Sequence, residues 1–232
     1  MIPVSLSGGV EPGARTGTSV NGRLVVLWRG QDGRARAWAD RCPHRGMRLS
    51  FGFVRENTLT CIYHGWSFGD APAGSSAENR AAGAPCLTVP AHPTLAPPAK
   101  AAAALLPVTE ALGMIWVGDG PADNQRPATA PGLPPVYPVR SVTVNAPVAA
   151  LRAAFESTLP PGAAAVESAG TPQPGVVTFK GPAGLVIVAV QDRGGGAASA
   201  HIVSTDADVA ARKALCQWAA LVRDHLAAVM LP

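Results

Sequence analysis

Two short segments of the sequence place a cysteine close to a histidine, and these side chains have the types that bind metal. The first segment reads Cys42-Pro-His44 and the second reads Cys61-Ile-Tyr-His64. Each segment offers one thiolate and one imidazole. That mixture suits an asymmetric cluster of two irons and two sulfides, in which two thiolates bind one iron and two imidazoles bind the other. The pattern therefore predicts an iron–sulfur site that moves single electrons.

Imidazole ligands have a consequence for the redox chemistry of such a site. Neutral imidazoles in place of thiolates remove negative charge, so the reduction potential is expected at roughly −150 to +300 mV, above that of an all-cysteine ferredoxin. Gly46 and Gly65 lie close to the ligand pairs. Glycine permits the tight turns that bring backbone N–H groups toward sulfur, and Pro43 is expected to stiffen the first loop.

Structural zinc is the alternative for four such side chains. Zinc fingers pair Cys with Cys at C-x2–4-C spacing and His with His at H-x3–5-H spacing. Each segment here mixes the two residue types instead, which favours iron–sulfur over zinc. The remaining cysteines, Cys86 and Cys216, are expected to be small buried hydrophobic residues.

The sequence around the two segments resembles a known family. CPHRG, LSFG, CIYHGW, CLTVP and GMIWVG follow one another within residues 20–120. They resemble the Rieske domain of the Rieske non-haem iron oxygenases, the family of ring-hydroxylating dioxygenases and O- or N-demethylases. The resemblance implies a Rieske-type [2Fe–2S] cluster and a Trp66 side chain packed beside the second loop. The cofactor-binding and metal-binding residues that it implies are Cys42, His44, Cys61 and His64.

The sequence also selects a subtype within the Rieske proteins. Those of respiratory and photosynthetic membrane complexes have an extra cysteine in each loop, and the two form a disulfide. Met47 and Tyr63 occupy the corresponding positions here. The chain therefore resembles the oxygenase or soluble ferredoxin subtype, which implies a potential toward the lower end of the range.

Full-length oxygenases of this family add a catalytic domain with a mononuclear iron. Two histidines and one carboxylate bind that iron and leave positions open for O₂ and substrate, in a pattern like E-N-x-x-D-x-x-H-x-x-x-x-H. The best match here begins at Glu156, and Pro160, Ala163 and Ser168 stand where the aspartate and the two histidines would be. None of these three can bind iron. We therefore expect no mononuclear iron and no catalytic residue in this chain.

The histidines outside the two segments are His92, His201 and His225, and they lie far apart in sequence. Each is expected to be an isolated surface or core residue. The alternative is an atypical iron site in which His201 and His225 converge with a nearby aspartate. The candidate aspartates are Asp206, Asp208 and Asp224.

Sequence patterns divide the chain into two domains and predict an α+β fold class. Residues 1–120 read as an all-β Rieske domain. Within it, Arg23–Arg29 is predicted to be a strand, and the Asp32-Gly33 pair after it predicts a hairpin turn. Residues 121–138 are rich in proline and polar residues, which predicts a linker. Residues 139–232 read as a small sheet-plus-helix domain that resembles a reduced helix-grip catalytic domain.

Elements within the two domains are predicted from periodicity. Residues 67–85 are expected to form a loop, followed by short strands at Cys86–Pro90 and Met114–Val117. The later domain is expected to hold a helix over Pro147–Leu159 and a final helix reaching about Met230. Asp206 or Asp208 is expected to cap that final helix.

Composition limits the classes of function. The chain has 232 residues and a net charge of +4, and its basic residues form no run typical of nucleic-acid binding. The N-terminus lacks the pattern of a signal peptide, and no segment is apolar enough to span a bilayer. We therefore expect a soluble cytoplasmic protein in which clustered Cys and His bind metal.

Several functions fit these observations. The first is an electron-transfer subunit of a heteromeric Rieske oxygenase, which passes electrons from a reductase or ferredoxin to a mononuclear iron on a partner subunit. The alternatives are a freestanding Rieske ferredoxin, a self-sufficient oxygenase with an atypical iron site, and a binding protein whose cluster is structural or redox-sensing. Arginines crowd the first loop, and they form either a docking surface for an acidic electron donor or an ordinary solvated face. These arginines are Arg41, Arg45, Arg48 and Arg55.

Overall fold

A computed structural model describes residues 1–70, 83–94, 96–98, 100–120, 133–163, 165–167, 175–181 and 184–230. Two helices are present in this part of the chain, α1 (Val148–Ser157) and α2 (Val209–Met230). The strands are β1 (Ile2–Leu6), β2 (Arg15–Val20), β3 (Arg23–Arg29), β4 (Ala35–Ala39), β5 (Phe53–Arg55), β6 (Thr58–Thr60), β7 (Ser67–Gly69), β8 (Ala84–Thr88), β9 (Ala102–Ala103), β10 (Leu105–Leu106), β11 (Val108–Ala111), β12 (Met114–Val117), β13 (Tyr137–Val144), β14 (Ala165–Glu167), β15 (Val176–Gly181), β16 (Gly184–Gly194) and β17 (Ala197–Ser204).

Strands β1 to β12 form the N-terminal unit, in whose described residues the only helices are single turns of 3-10 helix. Its described strands make antiparallel sheets with the orders β10-β4-β3-β2, β1-β12-β11 and β5-β6-β7-β8-β9. The first Cys/His segment follows β4, and the second joins β6 to β7. Both segments are therefore held by the ends of paired strands.

Tight turns set the register of the hairpins. Asn21 and Gly22 have φ of 49° and 80° between β2 and β3, as the two central positions of a type I′ turn require. The predicted turn at Asp32-Gly33 is confirmed between β3 and β4, where Gly33 has φ of 74°. The Asp32 carboxylate accepts a hydrogen bond of 3.0 Å from the Arg34 N–H, which stabilises this turn.

A hydrophobic cluster beneath the two Cys/His segments forms the core of the N-terminal unit. Trp28 of β3 and Trp38 of β4 meet edge to face, with ring centroids 4.8 Å apart. Both thiols, Cys42 and Cys61, belong to the same buried cluster. The guanidinium of Arg36 covers the Trp28 ring at 4.8 Å. The segments are thus built onto a packed aromatic core.

The described residues of the C-terminal unit form one antiparallel sheet and two helices. The sheet has the order β13-β17-β16-β15-β14, and both helices pack on one side of it around a shared apolar core. Trp218 of α2 lies edge to face with Phe155 of α1 and with Phe179 of β15, at centroid distances of 5.2 and 5.7 Å. The fold class is therefore α+β as predicted, with a long final helix held against a sheet.

The two units share an apolar interface. Met114 and Trp116 of β12 pack with Ile187 and Ala189 of β16 and with Val203 of β17 in one buried cluster. Every residue of this group contributes area that would otherwise face water, which stabilises the docked arrangement.

Polar contacts and one close backbone approach complete this interface. The buried Gln191 amide donates to Thr18 Oγ1 at 3.0 Å and to the Ser19 carbonyl at 2.7 Å. Gly194 and Gly22 have φ of 77° and 80°, and a Cβ on Gly194 would overlap the Gly22 Cα. The backbones of the two units therefore touch at this point.

Several sequence predictions differ from the structure at their boundaries. Strand β13 begins at Tyr137, inside the predicted linker of residues 121–138, whose residues 121–132 lie outside the described part of the chain. Pro138 is tolerated there because β13 is an edge strand with a register shift beside this residue. The predicted loop of residues 67–85 contains β7 and the start of β8, while residues 71–82 are not among those described.

The helix predictions were close. Helix α1 ends at Ser157 rather than Leu159, because the two prolines that follow disfavour helical backbone. Asp208 is the cap of α2, and its carboxylate accepts a hydrogen bond of 2.7 Å from the Ala211 N–H. Neither described helix combines the length and apolarity that crossing a bilayer requires.

Candidate metal centre

The first ligand loop spans residues 42–47 and is closed by two backbone hydrogen bonds. The Cys42 N–H donates to the Met47 carbonyl at 2.8 Å, and the Gly46 N–H donates to the Cys42 carbonyl at 2.8 Å. Gly46 has φ of 75°, a conformation that costs little only for glycine. The loop therefore folds back on itself and presents the residues between Cys42 and Gly46 outward.

The second ligand loop, residues 61–66, is closed by the same pair of bonds. The Cys61 N–H donates to the Trp66 carbonyl at 2.9 Å, and the Gly65 N–H donates to the Cys61 carbonyl at 3.0 Å. Gly65 has φ of 70°, and a Cβ there would lie 2.9 Å from Pro90 Cγ. Both loops thus use one turn, with a glycine four residues after the cysteine.

Each histidine takes a different place within this shared turn. His44 is the second residue after its cysteine, whereas His64 is the third residue after its own. The two imidazoles nevertheless meet, with ring centroids 4.7 Å apart and planes at 64°. The structure therefore brings the side chains of both loops together as the sequence predicts.

The two thiols are buried side by side. Cys42 and Cys61 are within hydrogen-bonding contact, and the backbone N–H groups of His44 and Arg45 are directed at the Cys42 sulfur. Burial raises the pKa of the Cys42 thiol to about 11. A thiolate at this position consequently needs a nearby cation, which a bound iron ion would supply.

The two imidazoles lie nearer to solvent than the thiols. His44 is half-buried and His64 is exposed. The Trp66 ring stacks on His44 at a centroid distance of 4.2 Å and an angle of 4°. Tyr63 covers the other imidazole, with its centroid 3.9 Å from that of His64. The site is therefore asymmetric, with sulfur ligands inside and nitrogen ligands outside.

The segment after the first loop is anchored to the sheets on both sides. The buried Asp40 carboxylate accepts two hydrogen bonds of 2.7 Å from Ser50, one from its N–H and one from its hydroxyl. Arg15 donates to the Gly52 carbonyl at 2.6 Å, and a Cβ on Gly52 would overlap the Thr60 carbonyl. These contacts fix the position of the first loop relative to the second.

The residues present fit a [2Fe–2S] group with mixed ligands. Two buried thiols form one pair and two adjacent imidazoles form the other, which matches the division of ligands between two irons. No three His, Cys, Asp or Glu side chains of the described residues converge as they would around one metal ion. That finding is compatible with a cluster in which each iron takes only two protein ligands.

The histidines of the proposed atypical iron site are not together. His201 is buried between Ser141, whose hydroxyl lies 2.8 Å from its Nδ1, and Gln191, whose Oε1 lies 3.2 Å from its Nε2. His225 and His92 are exposed. Burial lowers the pKa of His201 to about 4, so this imidazole is neutral at pH 7. His201 is therefore a hydrogen-bonded core residue.

The segment that resembles the mononuclear iron motif has other partners in this chain. Glu156 is exposed and pairs with Arg152 at 2.8 Å. Pro160 and Ala163 line a mostly apolar cavity of about 220 Å³ beside α2. Ser168 lies outside the described residues.

Comparison with known families identifies the class of the N-terminal unit. Residues 1–93 match the family model of the Rieske [2Fe–2S] domain. The N-terminal unit is therefore a Rieske domain, a class that carries a [2Fe–2S] cluster, and the resemblance drawn from the motifs is confirmed.

Curated relatives match up to about half of the chain. This chain is 39% identical over 95 residues to Oxidoreductase NdmD of Pseudomonas putida, and the aligned segment covers 41% of this chain and 14% of that protein. It is 34% identical over 113 residues to the vanillate O-demethylase oxygenase subunit of a Pseudomonas species, covering 48% of this chain and 27% of that protein. The chain thus spans well under a third of the length of these two relatives.

Solved structures match over both units. The fold is similar to that of Pseudomonas putida CBB5 NdmA with caffeine, with a TM-score of 0.69, 16% identity, and coverage of 97% of this chain and 80% of that one. Apo dicamba monooxygenase gives a TM-score of 0.63 at 16% identity, covering 99% of this chain and 86% of that one. These likenesses establish a shared fold that extends beyond the Rieske domain.

Two features of the site were missed by reasoning from sequence. The brace between Asp40 and Ser50 joins residues on either side of the first loop, and an aspartate just before a loop is too common to indicate it. Trp66 was expected beside its own loop, but its ring stacks on His44 of the other loop. The adjacency of His64, Gly65 and Trp66 carries no information about which imidazole the indole reaches.

Proposed function

We propose that this chain is the electron-transfer subunit of a heteromeric Rieske oxygenase. In this proposal a reductase or ferredoxin supplies electrons, and a mononuclear iron on a partner subunit receives them. The cluster ligands are Cys42, His44, Cys61 and His64. The single observation that carries the proposal is the pairing of two buried thiols with two outward-facing imidazoles on loops of identical closure. Residues 1–120 and 139–232 are proposed as its domains, and the cytoplasm as its location.

The residues around the site have distinct tasks in this function. When bound, a [2Fe–2S] cluster supplies the capacity to accept and release one electron. The buried thiolates of Cys42 and Cys61 would hold it from the side of the core, where water is excluded. His44 and His64 would hold it from the side nearer to solvent, which is the side that a partner protein can reach. Trp66 keeps the His44 ring in one orientation by stacking on it.

Delivery to a partner is favoured over catalysis within this chain. The residues aligned with the mononuclear iron ligands are Pro160, Ala163 and Ser168, and none of them is a histidine or a carboxylate of the kind that binds such an iron. His201, the one buried histidine among the described residues outside the Rieske loops, already bonds Ser141 and Gln191. An acceptor iron on another chain would explain why this Rieske domain is followed by a C-terminal unit without the ligands of a mononuclear iron.

A freestanding Rieske electron carrier is the second candidate function. The observation that favours it is the 39% identity to NdmD, a protein described as an oxidoreductase rather than as an oxygenase subunit. Such a carrier would reduce several acceptors and need no stable partner.

The first test concerns the ligands. We expect anaerobically purified protein to contain two irons and two sulfides per chain and, after reduction, to give the EPR spectrum of a mixed His/Cys cluster. Cys42→Ser and His64→Ala should abolish the visible absorption. The matched controls Cys216→Ser and His92→Ala should leave it intact. An all-thiolate spectrum, or bleaching in the control variants, would contradict the ligand assignment.

The second test separates the two functions. Reduced protein is mixed with O₂, substrate and a Rieske oxygenase chain whose own cluster ligands have been replaced by serine. The mononuclear iron of that chain is loaded in the ferrous state, so that this iron and the reduced cluster each supply one of the two electrons that a turnover needs. A subunit role predicts a stable complex and product formation in a single turnover. A freestanding carrier predicts electron transfer without a stable complex on size exclusion. Product formation by the chain alone would contradict both functions.

A further inference from the structure

The first ligand loop and the strand that follows it carry charge of a single sign. Residues 41–55 contain four arginines and no acidic residue. All four are exposed, and they are Arg41, Arg45, Arg48 and Arg55. The nearest carboxylate before them, Asp40, is buried and bonded to Ser50, and the nearest after them, Glu56, is exposed beside Arg55. The surface next to His44 is therefore strongly positive.

Exposed aromatic side chains lie beneath two of these arginines. Phe51 is 56% exposed and Phe53 is 37% exposed. The guanidinium of Arg48 lies 5.9 Å from the Phe51 centroid, and that of Arg55 lies 4.9 Å from the Phe53 centroid. Arginine and exposed aromatic residues together are the composition enriched in protein–protein interfaces. An ordinary solvated face has the charges but not the exposed rings.

The second ligand loop has the opposite character. Residues 61–69 carry no Lys, Arg, Asp or Glu. Ile62 and Tyr63 are 59% and 56% exposed beside His64. The two imidazoles are therefore flanked by different surfaces, one cationic and one uncharged.

The cationic surface continues onto the C-terminal unit. Arg48 and Phe51 line a cavity of about 230 Å³, and Arg193 of β16 lines it from the other unit. The Asp40 carboxylate also lines this cavity, but both of its oxygens already accept hydrogen bonds from Ser50. Arg193 reaches Ser199 Oγ only at 3.4 Å, a long contact. A cavity with a guanidinium on either side is suited to an acidic side chain from a partner, since Arg pairs well with carboxylate. The two units thus contribute jointly to one surface.

We propose that this surface, formed by Arg41, Arg45, Arg48, Arg55, Phe51, Phe53 and Arg193, docks an acidic electron-transfer protein that reduces the cluster. The inference rests on the proposed function and adds to it the chemistry of the donor and a contribution from the C-terminal unit. One electron leaves the reduced partner and arrives at the site beside His44, so the partner is oxidised by one electron and no bond breaks. The surface beside Tyr63 stays free for the acceptor.

The test measures how fast an acidic partner reduces the purified holoprotein. The probe is an acidic plant-type [2Fe–2S] ferredoxin, chemically reduced and mixed by stopped flow at several ionic strengths. We expect the second-order rate constant to fall steeply as salt rises, because opposite charges steer the encounter and salt screens them. Arg45→Gln, Arg48→Gln and Arg193→Gln should each lower the rate by about two- to fivefold at low salt and flatten the salt dependence.

Matched controls separate this inference from the proposed function. Arg152→Gln removes the same charge from the exposed face of α1 and should leave the rate unchanged. Reduction by dithionite should give the same final spectrum in all variants, which shows that the cluster is intact. A salt-independent rate with an intact cluster would overturn the docking surface and leave the proposed function standing. An equal loss of reduction rate in Arg152→Gln would also overturn it. So would arginine variants that are reduced by the ferredoxin at the wild-type rate but pass electrons to an acceptor more slowly.

Discussion

The indole of Trp66 lies parallel to the imidazole of His44, with centroids 4.2 Å apart and planes within 4° of each other. The two residues come from different ligand loops, so this stack links the loops on the side away from the thiols. An aromatic pair of this kind contributes about 1 kcal/mol beyond its buried area.

Replacing Trp66 therefore tests whether the stack positions the imidazole. We expect Trp66→Ala to loosen His44, shift the EPR g values and speed loss of the cluster in air several-fold. Trp66→Phe keeps a ring against the imidazole and should restore most of the wild-type behaviour. Cluster content and EPR line shape are the measurements. Unchanged spectra in Trp66→Ala would show that the imidazole is held by other contacts.

Gly65 offers a test of the turn that the loops share. A Cβ at this position meets both an unfavourable φ of 70° and Pro90 Cγ at 2.9 Å. Gly65→Ala should therefore lower cluster content. It should also lower the free energy of unfolding by more than the roughly 1–2 kcal/mol expected from the backbone conformation alone. Gly33→Ala is the matched control, since Gly33 has φ of 74° with nothing within 4 Å of the added Cβ. Equal effects of the two substitutions would contradict the role given to Pro90.

The contact between Gly194 and Gly22 offers a test of the interface between the units. Gly194→Ala forces the two backbones apart, and we expect it to lower the free energy of unfolding by about 1–3 kcal/mol more than the control. Gly196→Ala is that control, because Gly196 has the same φ of 77° and open space around it. Denaturant titration gives the free energies. Equal values for both variants would mean that the interface tolerates separation at this point.

His201 predicts a pH dependence of stability. Burial lowers its pKa from 6.5 to about 4, so the unfolded chain binds more protons than the folded protein between these values. The contribution of His201 to the free energy of unfolding is therefore fully present above about pH 6.5. It is lost as the pH falls toward 4, by about 1.4 kcal/mol per pH unit. Denaturant titrations of wild type and His201→Gln should diverge in this window and run parallel above it. The exposed His92→Gln variant should follow wild type throughout.

The site was more predictable from sequence than the fold around it. The ligand loops are local turns, and the glycines at positions 46 and 65 indicate directly where those turns lie. Strands β2 and β11 were missed because their residues do not alternate. Strand β1 was missed although its apolar residues alternate, because the proline at its second position argues against a strand. In β2, for example, Arg15 to Val20 mixes charged, small and polar residues that are ordered by pairing with β3. The partner of β1 is β12, more than a hundred residues away, and no local pattern indicates such a pairing.

The helices were predictable to within two residues because capping and proline signals are local. The first helix was predicted two residues too long, since Leu159 lies beyond the end of α1. The interface between the units was not predicted, because nothing in the sequence around Gln191 or Gly194 indicates a contact with a distant part of the chain.

Gly22 and Gly194 meet with no room for even a methyl group between the two units. A backbone contact this close disfavours rotation of one unit against the other. If the chain transfers electrons as proposed, we expect the units to stay docked while a donor and an acceptor bind and dissociate in turn, so that the lifetime of each complex would limit the rate of electron transfer.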